Sequence, residues 1–595
     1  MSALGIPALP WQVTGNHWLA LPCIHPATGA VHALGVLHRG ARAAIEFAGS
    51  PSFVEGDGPP LLRPIIELDG VTRDLAKAGL AWERSLGWLP AFTCSLDPIV
   101  VRGTLFAPHG RDVDFAGAIY AISLENRGTS EVRAAVTLEG VLGHRQMRVR
   151  TARPLGDPPS VTIDGDALVL EGSVSPGLAA IAVTADHDAP AVTDTTNPIA
   201  PAFSLRREVT LAAGAQETAA FYIAAGPERD GALATAAALR RRGWSELLAD
   251  TRDALRAMEQ TVGHDGIDRL LNHNLCFAYF FGVGRALDDA HFYLMRSRSP
   301  WHGQGVTVRD WDALSWTLPA IQLADSSLAR ELLLRACELH GYAPGNGVHY
   351  FDGTLFSPGL TVEGISSFAV AADRYIRETG DDQIVEEPIL AETLYASWDD
   401  LTARRDEHVP LYRTDVMLSG AAAPLPFTLH GNAVVAQALD VFRRTLDEES
   451  AKSVEDPDAV RAALRRHFAT ERDGKAIFAT AIDLTGRVVT ADDELGSAYW
   501  LPLYEAVERH DSMYRRTVRG VGADAHSLAQ QCARLLGPDG AAVLQWMRRA
   551  PLDNGVAAEF VSPDGTAVAN GGDAALAGLL AWSLWHAVHA LGLRP

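Results

Sequence analysis

The sequence predicts a multidomain β + α chain: an N-terminal antiparallel β-sandwich followed by an (α/α)6 toroid, a double ring of helices. Three observations predict it. Up to about residue 227, short apolar or alternating runs recur between clusters of Gly, Pro, Asp and Asn, as antiparallel strands joined by turns do. From residue 266 onwards, apolar residues recur instead at helical spacing, in stretches separated by loops of unequal length. Those stretches divide into Ala- and Leu-rich ones that suit burial and charged ones, such as 327–340 and 458–467, that suit an outer ring.

In the first region, the run 115–124 is followed by Glu125-Asn126-Arg127-Gly128-Thr129 and then by the run 132–142, and 167–170 and 219–224 recur in the same manner. More than 200 residues of this pattern exceed an immunoglobulin domain, so two large sheets are expected, acting as a scaffold. Between 227 and 264, Leu233, Ala236, Leu239, Leu247, Leu248, Leu255 and Met258 fall at helical spacing and read as linker helices. The expected organisation is therefore a sandwich over 1–227, a helical linker over 228–264 and a barrel over 265–595. Helices are expected near 267–286, 312–324, 328–339, 364–379, 388–403, 430–446, 458–468, 497–509, 526–536, 539–548 and 573–591. With nearly twelve of them, every second helix would be inner, and the loops before the inner helices would meet at one end.

Composition narrows the function. A chain of 595 residues is too long for one ordinary core, and its 47 % hydrophobic content suffices for several. The formal net charge of −22 argues against nucleic acid and anionic membranes as partners, which need clustered Lys and Arg. Cys23, Cys94, Cys276, Cys337 and Cys532 are scattered, odd in number and without Cys-x-x-Cys spacing, so they read as reduced core residues. The start, Met1 to Pro7, has no basic segment or long apolar segment, and no later run of about 18 apolar residues appears, so a cytoplasmic location is expected.

Five stretches carry candidate chemistry, each just before an expected inner helix. The first, 299–312, packs Trp301, His302, Arg309, Asp310, Trp311 and Asp312 into the mouth of a helix. Indoles stack on the apolar face of a sugar ring, while an Arg-Asp pair offers matched donors and acceptors to hydroxyls. The others are Glu363 opening the 364–379 helix, His430-Gly431-Asn432, Asp492-Asp493-Glu494 with Tyr499 and Trp500, and Glu559 with Asp564 ahead of the last helix. Distant carboxylates beside aromatics are what glycosidic bond cleavage needs, one to protonate the leaving oxygen and one to activate water. Each also has a plainer reading. Glu363, Asp310 and Asp312 can be helix caps, Trp316 and Trp582 read as core, and His586 and His589 lack a third ligand for a metal.

Several of these residues resemble the glycosidases with an N-terminal β-sandwich and an (α/α)6 barrel, the six-hairpin group that includes glucoamylases and glycogen-debranching glucosidases. Val308-Arg309-Asp310-Trp311-Asp312 resembles their sugar-binding Arg-Asp segment. Thr361-Val362-Glu363, followed by Tyr375 and Thr379-Gly380-Asp381, resembles the stretch bearing the general acid. Glu559, followed by Asp564-Gly565 and Ala581-Trp582-Ser583, is similar to the ending that bears the general base. The resemblance implies an inverting hydrolase of an α-glucoside or short gluco-oligosaccharide. Its catalytic residues would be Glu363 and Glu559, with Asp312 as the alternative acid because debranching-type relatives place it in the first loop. Trp301, His302, Arg309, Asp310, Trp311, His430, Asn432, Glu494 and Trp500 would bind substrate. No metal or organic cofactor is called for, and homo-oligomer formation is compatible with this reading. The competing readings are a non-catalytic glycan-binding or scaffold protein, a disaccharide phosphorylase, whose typical Trp-Asn-Asp motif is absent, and a polysaccharide lyase.

Overall fold

The computed structural model describes residues 5–186, 189–519 and 526–594, so residues 1–4 of the start read above for a targeting signal lie outside the described residues. The chain divides into two compact units. The first comprises 1–259, 283–293 and 297–306, and the second 260–282, 294–296 and 307–595.

The first unit is an antiparallel β-sandwich built from an eight-stranded, a six-stranded and a five-stranded sheet. Strand Val132–Val141 shows how the sequence makes it: Val132, Ala134, Val136 and Leu138 point into the core, while Arg133, Thr137 and Glu139 are exposed or half-buried. Strand Gly117–Asn126 lies inside the eight-stranded sheet, between Ile99–Phe106 and Gln216–Gly226, and is buried along most of both faces. Its apolar run follows from that double burial. The helices expected as a linker, Arg229–Arg242 and Trp244–Met258, belong to this unit, and Arg229–Arg242 packs on strands Ala180–Ala185 and Gln216–Gly226. All three sheets feed one hydrophobic core that includes Phe47, Leu138 and Phe221.

The second unit is a double ring of helices, six inner and six outer elements among the described residues. The inner series is 310–324, Val362–Thr379, Leu429–Thr445, the short turn Ala498–Trp500, Leu528–Leu535 and Ala574–His589. Each packs on the next, and Ala574–His589 returns to the 310–324 element and closes the ring. Ser326–His340, Pro388–Thr402, Pro457–His467, Ser512–Arg519, Gly540–Met547 and Asp265–Phe281 pack outside them. The last inner helix is buried on nearly every face from Ala574 to Leu584, as its Ala- and Leu-rich composition requires. The 310–324 element widens into a π segment at Ala313–Thr317. Pro319 there has no N–H to offer Ser315 O, which accepts instead from Arg374 Nη1 at 3.3 Å.

One expected helix is much shorter than its pattern. In place of 497–509 there is only Ala498–Trp500, because Pro502 cannot donate and Glu505 adopts φ 55°. Ser512–Arg519 takes the outer position that the sequence pattern did not show. No helix of the described residues is long and apolar enough to cross a membrane.

Candidate active site

Most of the candidate residues lie at the starts of inner elements of the second unit. Thr361 Oγ1 caps the Val362–Thr379 helix by accepting from Gly364 N at 2.9 Å, which leaves Glu363 in the first turn free of the capping role. Glu363 Oε1 is hydrogen-bonded to His430 Nδ1 at 3.1 Å, and both residues are 4 % exposed. The His430 ring meets Trp311 and Tyr504 edge-on, with centroids 5.5 Å away in each case. Two glycines make room for this cluster. A Cβ on Gly431 would stand 2.6 Å from Thr428 Oγ1 and 3.0 Å from Glu363 Oε1, and one on Gly496 would stand 2.8 Å from Asp493 Oδ2 and 3.2 Å from His430 Cγ.

Asp493 joins the same group. Burial pushes its carboxyl above the ordinary carboxylate range; His430 opposes the rise and the Glu363 charge adds to it. Glu494 beside it is exposed in outline, yet its carboxyl is also raised, first by desolvation and then by the charges of Asp493 and Glu559. Glu494 thus sits within electrostatic reach of the Glu363 group on one side and of Glu559 on the other.

Glu559 is half-buried, and its Oε2 accepts from Asn570 Nδ2 at 2.7 Å. Its backbone N–H donates to Asn570 O, and its carbonyl accepts from Leu528 N, each at 3.1 Å, which holds the residue between two inner elements. Close by is a buried ion cluster. Arg296 donates to Asp312 Oδ2 and to Asp573 Oδ2 at 2.5 Å each, and its guanidinium lies 4.9 Å from the centroid of the Trp316 ring. Desolvation works against the Arg296 charge, but Asp573, Asp312 and Glu559 together more than offset it and keep the guanidinium firmly protonated. Asp573 also caps the last helix through Leu576 N at 3.1 Å. Arg309 Nε stands 3.7 Å from Asp312 Oδ2, and Arg309 Nη1 donates to Leu418 O.

Several polar atoms in this region are buried with no hydrogen-bond partner, among them Trp311 Nε1, Asp312 Oδ1, His430 Nε2, Thr428 Oγ1 and Arg296 Nε. Buried polar groups are normally satisfied, so a cluster of unsatisfied ones points to water or a ligand.

At the level of architecture, no protein-family model matches the chain and no curated protein matches it. Among solved structures it is similar to a bacterial glucoamylase complexed with acarbose, with TM-score 0.60 and 9 % identity over 97 % of this chain and 94 % of that one. It is also similar to a protein provisionally titled a kojibiose phosphorylase, from human microbiome, with TM-score 0.56 and 10 % identity over 97 % of this chain and 86 % of that one. The chain has the glucoamylase-type fold. At such identities the likeness is one of fold, and the chemistry rests on the residues themselves.

The structure brings Glu363, His430, Trp311 and Tyr504 together, and it links Asp493, Glu494 and Glu559 electrostatically. Other expected residues have different surroundings. Trp301 and His302 belong to the first unit and are 3 % and 0 % exposed. Asn432 spends its amide on backbone, donating to Tyr412 O and Thr428 O and accepting from Tyr412 N. Asp310 is 2 % exposed and accepts from Gly345 N at 2.8 Å. Trp500 is buried on its short turn, 4 % exposed. The residues that sequence reasoning did not single out are Arg296, Asp493, Tyr504, Asn570 and Asp573. Of these, Asp493 stood in the Asp-Asp-Glu run and Asp573 in a Gly-Gly-Asp helix start, whereas Arg296 carried no local signal.

Proposed function

We propose that this chain is a carbohydrate-active enzyme that hydrolyses a glycosidic bond with inversion, most directly that of an α-glucoside or short gluco-oligosaccharide. The observation that carries the reading is the unsatisfied buried polar atoms of His430 and Trp311 beside Glu363, and of Asp312 next to Trp311 in the chain, which the hydroxyls of a bound sugar would complete. Trp311 Nε1 and His430 Nε2 have a proton or a lone pair to give, and Asp312 Oδ1 accepts.

In this reading Glu363 protonates the departing glycosidic oxygen as the bond to the anomeric carbon breaks. Glu559, oriented by Asn570, takes a proton from the water whose oxygen bonds to the opposite face of that carbon. His430 holds Glu363 in place, and Glu494 and Arg309 line the substrate's surroundings. Asp312 is engaged with Arg296 and has Arg309 nearby, so its part is to bind hydroxyls through Oδ1 rather than to supply the proton. No step calls on a bound cofactor.

A screen of α- and β-linked gluco- and manno-disaccharides, with free sugar as the readout, tests this directly. Each arm is run with and without inorganic phosphate, because the likeness to a protein titled a phosphorylase makes phosphate the competing nucleophile. Release that does not depend on phosphate supports hydrolysis, and release of a sugar phosphate overturns it. Saturable binding with no released sugar would mark a glycan-binding protein instead.

A further inference from the structure

Asp310, His340 and His349 form a cluster that the proposed hydrolysis does not use. His340 ends the outer helix Ser326–His340, and His349 lies on strand Gly347–Tyr350. That strand pairs with Thr307–Val308, Val308 opposite His349, and Asp310 follows two residues later. The pairing brings three residues distant in sequence to one place. One ligand atom from each lies within 4.8 Å of the others, and none of the three residues is more than 4 % exposed. The two imidazoles lie 4.5 Å apart between centroids. The Nδ1 atoms of both histidines are buried with no hydrogen-bond partner, and Asp310 has Gly345 N on one oxygen.

Polar atoms so deeply enclosed call for a counterpart, and two histidines with one carboxylate are a ligand set of the right chemistry for a divalent transition metal. We propose that Asp310, His340 and His349 bind a zinc-type cation, which ties the start of the inner 310–324 element to the outer helix and to the 347–350 strand. A small cavity of about 10 Å³, lined in part by Asp310 and His340, gives room for about one water as a fourth ligand. Bound zinc holds its ligand atoms about 3.4 Å apart at bond lengths of about 2.0–2.1 Å, so a trio within 4.8 Å closes by roughly 1.4 Å at most on binding. Asp310 precedes Trp311, so the cation would also fix the backbone that carries that indole.

The test uses the full chain, stripped with a chelator and titrated with Co²⁺ alone. The expected result is one Co²⁺ per chain with visible d–d bands, displaced by Zn²⁺, together with a Zn²⁺-dependent rise in Tm. His340→Leu and His349→Leu should each lose the bands and the rise. Wild-type protein that shows neither would overturn the proposal, as would bands that survive in both variants. If the variants fail to fold, X-ray absorption of zinc-loaded wild type decides: two histidine nitrogens around the metal support the site, and a shell without histidine overturns it.

Discussion

Replacing Arg296 by methionine keeps the length of the side chain and removes the guanidinium on which two carboxylates depend. Asp312 and Asp573 have side chains only 5 % and 0 % exposed, so the variant leaves both charges buried without their partner. Breaking a buried ion pair from one side costs about 3–5 kcal/mol. A unit of about 300 residues unfolds with an entropy near 0.6 kcal/mol/K, taking about 2.1 cal/mol/K per residue, so Tm of the second unit should fall by roughly 5–8 °C. Near-ultraviolet circular dichroism with heating would follow it. Adding Asp312→Asn to Arg296→Met should recover part of the loss, since one stranded charge is gone and the two sites are coupled. A fall below about 1 °C, or a double variant less stable than the single one, would refute the view that these charges hold the ring together.

Three other outcomes follow from named residues. Glu363→Gln and Glu559→Gln should each lower kcat by roughly 10²–10⁴ or more with an unchanged melting curve; near-normal kcat on the true substrate would remove that residue from its role. Asp493 has a raised carboxyl, so the folded chain keeps that proton to higher pH than the unfolded chain does. Its contribution to stability is therefore complete below the unfolded value of about 3.9 and is lost as pH rises through the folded value. Asp493→Asn should raise Tm at neutral pH and change little in acid, as melts across pH would register, and a lower Tm at neutral pH would contradict this. In the first unit, Phe221→Ala empties a fully buried site and should cost about 3–5 kcal/mol, seen as a lower urea midpoint for the sandwich's transition.

Periodicity carried much of the fold. Strand Val132–Val141 alternates in sequence as it does in space, and residues 574–584 are apolar on nearly all sides because they are enclosed on nearly all sides. The residues 497–509 show why the reading fails elsewhere. Tyr499, Trp500, Leu501 and Tyr504 look like part of a helix, but they are buried by an irregular turn around Pro502. Ser512–Arg519 escaped notice because Arg515, Arg516 and Arg519 obscure a core face reduced to Tyr514, Thr517 and Val518. In the candidate site, Glu363 and His430 were visible because each stands at a helix start within a local pattern. The ion pair of Arg296 with Asp573 spans 277 positions and exists only once the ring closes, so no local pattern could show it. Asp310, His340 and His349 likewise meet through strand pairing, not through any ligand spacing in sequence.

The anomeric form of the first sugar released, followed by NMR before mutarotation erases it, tests the central claim most directly. A Glu363 acid and a Glu559 base acting through water predict a product of configuration opposite to that of the bond cleaved. A product that retains the substrate's configuration would contradict the account.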